Sequence, residues 1–240
     1  MSDGPERSKY MNGNNSGGDI RIENRFLTWL DNFWYHNKWK TIGVLFITFV
    51  LTVCITQCVR KEKTDVVVLY AGPYLYTGNE ALTVKDELNS VMPSDFNGDG
   101  EKITGLVTYQ VMNEEQLKEY KELVEMVDTS YFTTQASNYN SYLLTGECAI
   151  LLVDEDLFVK LRDMDRLRRL DEMFPTVPSS AIDEYGIDFT RTALAKNSEQ
   201  LSKLPEGTVL CLLRPYIMGN ISDSMTYSQI TNMFVAMARD

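Results

Sequence analysis

Histidine occurs once in 240 residues, at His36. It is the usual proton-transfer group near neutral pH. His36 stands just before a long apolar run, so composition excludes a Ser-His-Asp or Cys-His mechanism, and any histidine-based zinc site, from the chain beyond that run. Cysteine is scarce as well, and Cys54, Cys58, Cys148 and Cys211 form no CxxC pair. The glycines near Gly72 and Gly78 lack the spacing of a phosphate-cradling loop. Basic residues thin out along the chain: residues 1–64 hold 9 Lys and Arg against 6 Asp and Glu, net +3, whereas residues 65–240 hold 14 against 28, net −14. Phosphate binding needs clustered Lys and Arg, so no nucleic-acid partner is expected. The basic cluster Arg166, Arg168 and Arg169 reads as a solvated helix end.

What is present begins with TIGVLFITFVLTVCITQCV, residues 41–59. It carries no charge and is flanked by Lys38, Trp39 and Lys40 before it and by Arg60, Lys61 and Lys63 after it. Its 19 residues reach roughly 28 Å as a helix, about one bilayer core, so the run predicts a single transmembrane helix. It is longer than a signal-peptide core and no small-x-small site follows it. No small residue precedes Cys54 or Cys58 directly, as a lipid anchor would require. The two cysteines, four apart inside the span, suit packing or helix association better than metal binding. The charge asymmetry orients the chain with a cytoplasmic N-terminus and an extracellular, acidic C-terminal domain.

The chain is expected to divide into a disordered cytoplasmic tail (1–20), a juxtamembrane aromatic segment (21–40), the transmembrane helix (41–59), a linker (60–64) and an α/β domain (65–240). The tail is Gly-, Asn- and Ser-rich with almost nothing to bury. In the second segment Phe26, Trp29, Leu30, Phe33, Trp34 and Asn37 recur at helical spacing. That pattern fits either a short helix lying in the membrane interface or a helical extension of the span.

From Asp65 onward short apolar runs alternate with helical patterns. Strands are expected at 65–71, 103–111, 148–153 and 209–214. Helices are expected at 83–91, after a cap at Asn113, after a cap at Asp154 or Asp156, and at 228–238. The helix after Asn113, with Gln116 completing a capping box, should bury Leu117, Tyr120, Val124 and Val127. The polar stretch before Leu143 and the segment around Pro175 and Pro178 read as loops. Strand–helix alternation predicts an α/β fold with a mainly parallel sheet covered by helices.

Few residues invite a functional reading. Asp95, Asn97, Asp99 and Glu101, with Gly98 and Gly100 between them, match the first half of a calcium loop and resemble the opening of dockerin and EF-hand loops. Leu106 stands where the twelfth-position Glu belongs, so weakly bound calcium competes with a plain turn built on Asn97-Gly98 and Asp99-Gly100. No other cofactor is expected. Cys148 and Cys211, in two expected strands, are open to a disulfide outside the cell or to being buried reduced thiols. Tyr74, Tyr76, Tyr131 and Tyr139, placed in loops, are candidate ligand-binding residues for a concave pocket. With 28 acids in the domain a carboxylate pair is always available, though spacing singles out none. LPEGT at 204–208 has only a superficial likeness to a sortase signal.

Residues 144–172 resemble a piece of bacterial extracellular solute-binding proteins, with Gly146 and Glu147 before a strand, then Phe158 and Leu161, then Leu167 and Leu170. The resemblance implies a periplasmic-binding-like lobe, although two lobes and a cleft need far more than the 176 residues from Asp65 onward. The overall layout also looks like uncharacterised single-pass surface proteins of low-GC Gram-positive bacteria, which implies location alone. The expected role is a membrane-anchored extracytoplasmic binding or interaction domain without catalysis. Its partners would be the lipid bilayer and a membrane or cell-surface protein or small ligand. The alternatives are a structural or assembly subunit of a membrane complex and, more weakly, a cell-surface carboxylate-dependent hydrolase.

Overall fold

The computed structural model describes residues 25–59, 64–124, 126–215 and 224–239. The expected tail and all of the expected linker but Thr64 lie outside these residues. The chain forms two compact units, Met1–Lys61 and Glu62–Asp240.

In the first unit the described residues form one helix, α1, Arg25–Val59. No proline or helix-ending glycine separates the aromatic segment from the apolar run, so the two are continuous and the helical-extension reading holds. At 1.5 Å per residue its 35 residues reach roughly 52 Å, well beyond a bilayer core. The part long and apolar enough to cross a membrane is Phe33–Cys54, with a mean hydropathy of 1.3 and none of it buried. It starts a full two turns earlier than the charge-free run, because Lys38 and Lys40 are the only charges in it. The hydroxyls of Thr48 and Thr52 donate to the carbonyls of Val44 and Thr48, at 2.9 and 2.8 Å, so no polar hydrogen of theirs is left facing an apolar medium.

The second unit is built on five strands: β1 (Val66–Gly72), β2 (Thr104–Gln110), β3 (Ile150–Val153), β4 (Gly186–Asp188) and β5 (Val209–Leu212). Their order is β2-β1-β3-β5-β4. β1 pairs parallel with both β2 and β3, whereas β5 pairs antiparallel with β3 and β4. The sheet is therefore mixed, and the expected parallel character belongs to β2-β1-β3. The reversal at β5 arises because β3 and β5 are joined through α5, β4 and α6 rather than by one crossover helix.

Among the described residues this unit also has six helices: α2 (Gly78–Val91), α3 (Glu114–Leu123), α4 (Thr129–Thr145), α5 (Glu155–Asp163), α6 (Ala193–Asn197) and α7 (Ser224–Met237). The four-residue strands β3 and β5 are buried at every position, so their side chains feed the core from both faces of the sheet. Phe158, Phe189 and Phe234 are buried against them. β4, too short for a periodicity signal, exists because Gly186 lets it close on its neighbours. A Cβ there would meet the Phe158 ring and Val209 at 2.6 and 2.7 Å.

Three local expectations are corrected. The stretch before Leu143 is not a loop: Phe132, Tyr139 and Leu143 recur at spacings of seven and four and bury one face of α4, with Asp128 accepting from the Ser130 N–H as its cap. α3 has the Asn113–Gln116 capping box but ends at Leu123, before Val124 and Val127, and buries none of its residues. The arginine cluster follows α5 instead of ending a helix in solvent. Arg168 pairs with Glu172 at 3.1 Å and lies over the Tyr227 ring, and Arg169 pairs with Asp171 and Glu184.

Candidate functional site

Parallel strands followed by helices bring several helix N-termini to one edge of a sheet, the carboxyl edge, which in open α/β folds is where ligands bind. Here α2, α3 and α5 begin at the ends of β1, β2 and β3. Each start is closed by the chain itself. Thr77 and Glu80 form a reciprocal capping box on α2, Asn113 and Gln116 do the same on α3, and Asp154 accepts from the Asp156 N–H on α5. The caps are also tied together. Gln116 Nε2 donates to Asp154 Oδ2 at 2.8 Å, Asn113 donates to Asp156, and the Asp154 N–H donates to the Ala71 carbonyl at 3.0 Å.

This arrangement leaves none of these three helix N-termini open to an external anion. The partial positive charge that would attract a phosphate already faces Glu80, Asp154 or Asp156. Glu80 is held furthest in its charged form. Hydrogen bonds from the Thr77 backbone first, then from Lys203, pull its carboxyl down from 4.5 to about 2. Lys203 Nζ lies 3.0 Å from Glu80 Oε1, and the Tyr74 hydroxyl donates to the same oxygen at 3.2 Å. Glu80 is thus ionised at neutral pH and suited to holding a loop rather than to donating a proton.

The loop it holds is Gly72–Thr77. Gly72 admits the Tyr70 ring, whose hydroxyl would lie 2.6 Å from any Cβ at that position, and that hydroxyl accepts the Tyr74 N–H at 3.0 Å. Tyr74 and Tyr76 stack edge to face at 5.0 Å, and Tyr76 meets Tyr70 at 5.7 Å. Burial raises the affinity of all three hydroxyls for their protons. With both tyrosines turned inward, the residue between them turns out: Leu75 is 55% exposed.

Leu75 shares a cavity of about 200 Å³ with Gln110, Tyr120, Met126, Tyr131 and Phe132. Met126 is 90% exposed, Tyr131 38%, and Leu123, at the end of α3, 84%. Tyr120 and Tyr131 both stack on Phe132, at 5.6 and 5.2 Å. The site is therefore a surface of exposed apolar and aromatic side chains at the ends of β1 and β2, with Gln110 and Asp128 among its lining residues, carried by a hydrogen-bonded frame.

Of the four tyrosines singled out in the sequence, the structure brings three to this edge. Tyr131 lines the cavity, and Tyr74 and Tyr76 support the loop that presents Leu75. Tyr139 lies apart from them, on α4 and not in a loop: it is 3% exposed, has its ring against Tyr109 at 6.3 Å and lines a separate cavity of about 190 Å³ with Leu143, Leu157 and Leu161. Tyr131 likewise belongs to a helix and not a loop. Leu75 and Met126 were missed. A leucine between two tyrosines just after Gly72-Pro73 was the available signal, since neighbours in an extended loop face opposite ways.

The remaining candidates lie elsewhere. In the 95–101 loop the Asp95 carboxylate accepts from the N–H groups of Gly98 and Gly100, both at 2.7 Å, while Asn97 and Asp99 accept from Asp99 and Glu101. Gly98 and Gly100 have φ of 75° and 97°, which explains both glycines as turn residues. Asp65, ahead of β1, locks the turn by accepting from Phe96, Asn97 and Ile103. Hydrogen bonds from Gly100 and its neighbours lower the Asp95 pKa. Among the described residues no group of three or more His, Cys, Asp or Glu is placed to hold a metal ion.

Cys148 and Cys211 are free and buried. Cys211 pairs with Leu151, three positions beyond Cys148, which in extended chain is roughly 10 Å and too far for a bridge. Burial pushes the Cys148 thiol up to about 12 and raises Cys211 as well, so both are inert thiols. In the 144–172 segment Gly146 caps α4 at φ 66°, β3 follows, and Phe158, Leu161, Leu167 and Leu170 are all buried. Comparison with protein-family models, with curated proteins and with solved structures finds no match for this chain.

Proposed function

We propose that this chain is a membrane-anchored, extracytoplasmic binding domain, without catalytic activity, that engages a protein partner or small ligand through the surface formed by Leu75, Met126 and Tyr131. The observation that carries this reading is the exposure of those side chains on an edge whose polar groups are already paired with one another. A rigid frame with an unpaired apolar crest suits recognition, since little order is lost on binding. The 2-1-3 order of β2, β1 and β3 supports the further reading of a single periplasmic-binding-like lobe, and the +3 and −14 charge balance supports a cytoplasmic N-terminus.

A photo-crosslinking residue at Met126, in the full chain in intact cells, is expected to give a discrete adduct that one at exposed Ile182 does not. Equal labelling at both positions, or none at either, overturns the assignment of this surface. External protease tests compartment separately: it should cleave the acidic domain on intact cells. A second reading, an assembly subunit, is favoured by the exposed Trp34 and Trp39 on α1. It predicts that deleting residues 21–39 abolishes partner co-purification while the domain stays folded.

A further inference from the structure

The sheet has two edges, and the fold treats them differently. The outer side of β4 is covered: Ala181 bridges Ile187, the Asp188 N–H donates to Ser180 O at 2.8 Å, and the Ile182 N–H donates to Gly186 O at 3.0 Å. β2, the other edge, has no such cover among the described residues. Its ladder fixes which groups are unpaired. The Val111 N–H donates to Gly72 O at 3.0 Å and Ile103 O accepts from the Asp65 N–H at 2.9 Å, so the odd-numbered residues of β2 address β1. The even-numbered ones address the outside. The first of these, Thr104, gives its N–H to Asn89 Oδ1 at 2.6 Å. Leu106 and Thr108, both half-buried, then present backbone donors and acceptors outward, between Thr104, where α2 reaches the edge through Asn89, and Gln110, which is buried.

Natural proteins blunt an open edge with lysine, proline, a bulge or a covering segment. β2 has none of these. Residues 103–113 contain no charge and no proline, and the pairing with β1 runs without a bulge for all seven residues. In a domain of net −14, an uncharged seven-residue edge is where two copies can meet without opposing their acids.

We infer that β2 is a homotypic pairing edge, to which a second copy of this chain adds its own β2 antiparallel, joining two sheets into one. In the register centred on Val107, Leu106 faces Thr108 of the partner subunit. The two exchange both N–H···O bonds, and the two-fold axis repeats the exchange. Val107 then faces its own symmetry mate as a non-hydrogen-bonded pair, with Cα atoms about 4.5 Å apart, inside the range a disulfide spans.

The test uses the full chain in membranes, with Cys54→Ser and Cys58→Ser removing the cysteines of α1. Under oxidation Val107→Cys is expected to give a disulfide-linked homodimer, whereas Thr83→Cys, exposed on α2, is not. Adding Thr108→Pro removes only outward-facing backbone donors and should lower the dimer yield roughly tenfold. Thr108→Lys places like charges across the two-fold axis and should act in the same direction if the proline variant fails to fold. A Val107→Cys yield no higher than that of Thr83→Cys overturns the inference. So does a dimer that survives both Thr108 variants, or an adduct with a different polypeptide in place of the homodimer.

Discussion

α1 and the sheet spend the same residue types in opposite ways. In α1, Val44, Leu45, Phe46 and Phe49 are exposed, whereas in β1, β3 and β5 every valine and leucine but the half-buried Val67 is shut inside. Composition alone does not separate the two. Length and flanks do: the strands are runs of four to seven residues stopped by turns, and α1 carries an apolar window of 22 residues with Lys38 and Lys40 in its first half. The difference teaches that an apolar segment is read by what surrounds it, since hydrocarbon and a packed core both replace water but only the core fixes shape.

Placing one substitution in both regions breaks the comparison most sharply. Leu151→Asp, in the middle of β3, puts an unpaired carboxylate in the core and should abolish cooperative unfolding of the domain while leaving membrane fractionation unchanged. Val44→Asp, in the apolar window of α1, should do the reverse. It adds about 2.5–3.5 kcal/mol to insertion and moves protein out of the membrane fraction, with the domain's unfolding midpoint intact. If either substitution disturbed both properties equally, the two regions would not be the separate units described.

A smaller effect is expected at the carboxyl edge. Thr77→Ala removes the α2 cap and should cost about 1 kcal/mol, or 2–4 °C in Tm for a domain of this size. The pH dependence has a definite sign. Because the Glu80 carboxyl is held down to about 2 in the folded chain against 4.5 ordinarily, its contribution is complete above that ordinary value and is lost as pH falls through it toward 2. Asp95 and Asp128, also lowered, act in the same direction. Urea midpoints should therefore fall with acid, and Glu80→Gln should flatten part of that limb. Calcium is expected to do least. About 5 mM should leave Tm unmoved, although an occupied extracellular-type loop would already respond at 0.1–1 mM.

Much of the domain was legible where local chemistry and tertiary packing agree. The runs expected at 148–153 and 209–214 hold the strands Ile150–Val153 and Val209–Leu212, short apolar stretches buried at every position, and the Asn113–Gln116 box starts α3 as its spacing demands. Failures came where a pattern had two readings. Thr77-x-x-Glu80 was a capping box in plain view, yet α2 was expected five positions late because its apolar residues begin at Ala81 and Leu82. Asn- and Ser-rich α4 hid a buried stripe of three residues. β4 could not be foreseen, for three residues carry no period and its existence depends on Phe158 and Val209 arriving from elsewhere.

By itself, the amino-acid order determined that one segment suits lipid, that an acidic α/β domain follows it, and that histidine chemistry is absent from that domain. These follow from composition and from periods set by helix and strand geometry, which need no knowledge of neighbours. The tertiary structure alone decided that β5 runs backwards, that Tyr139 is core while Leu75 and Met126 are surface, that the two strand cysteines stay apart, and that one sheet edge is covered and the other bare. Each of those depends on which distant residues meet, and register and burial exist only once they have met.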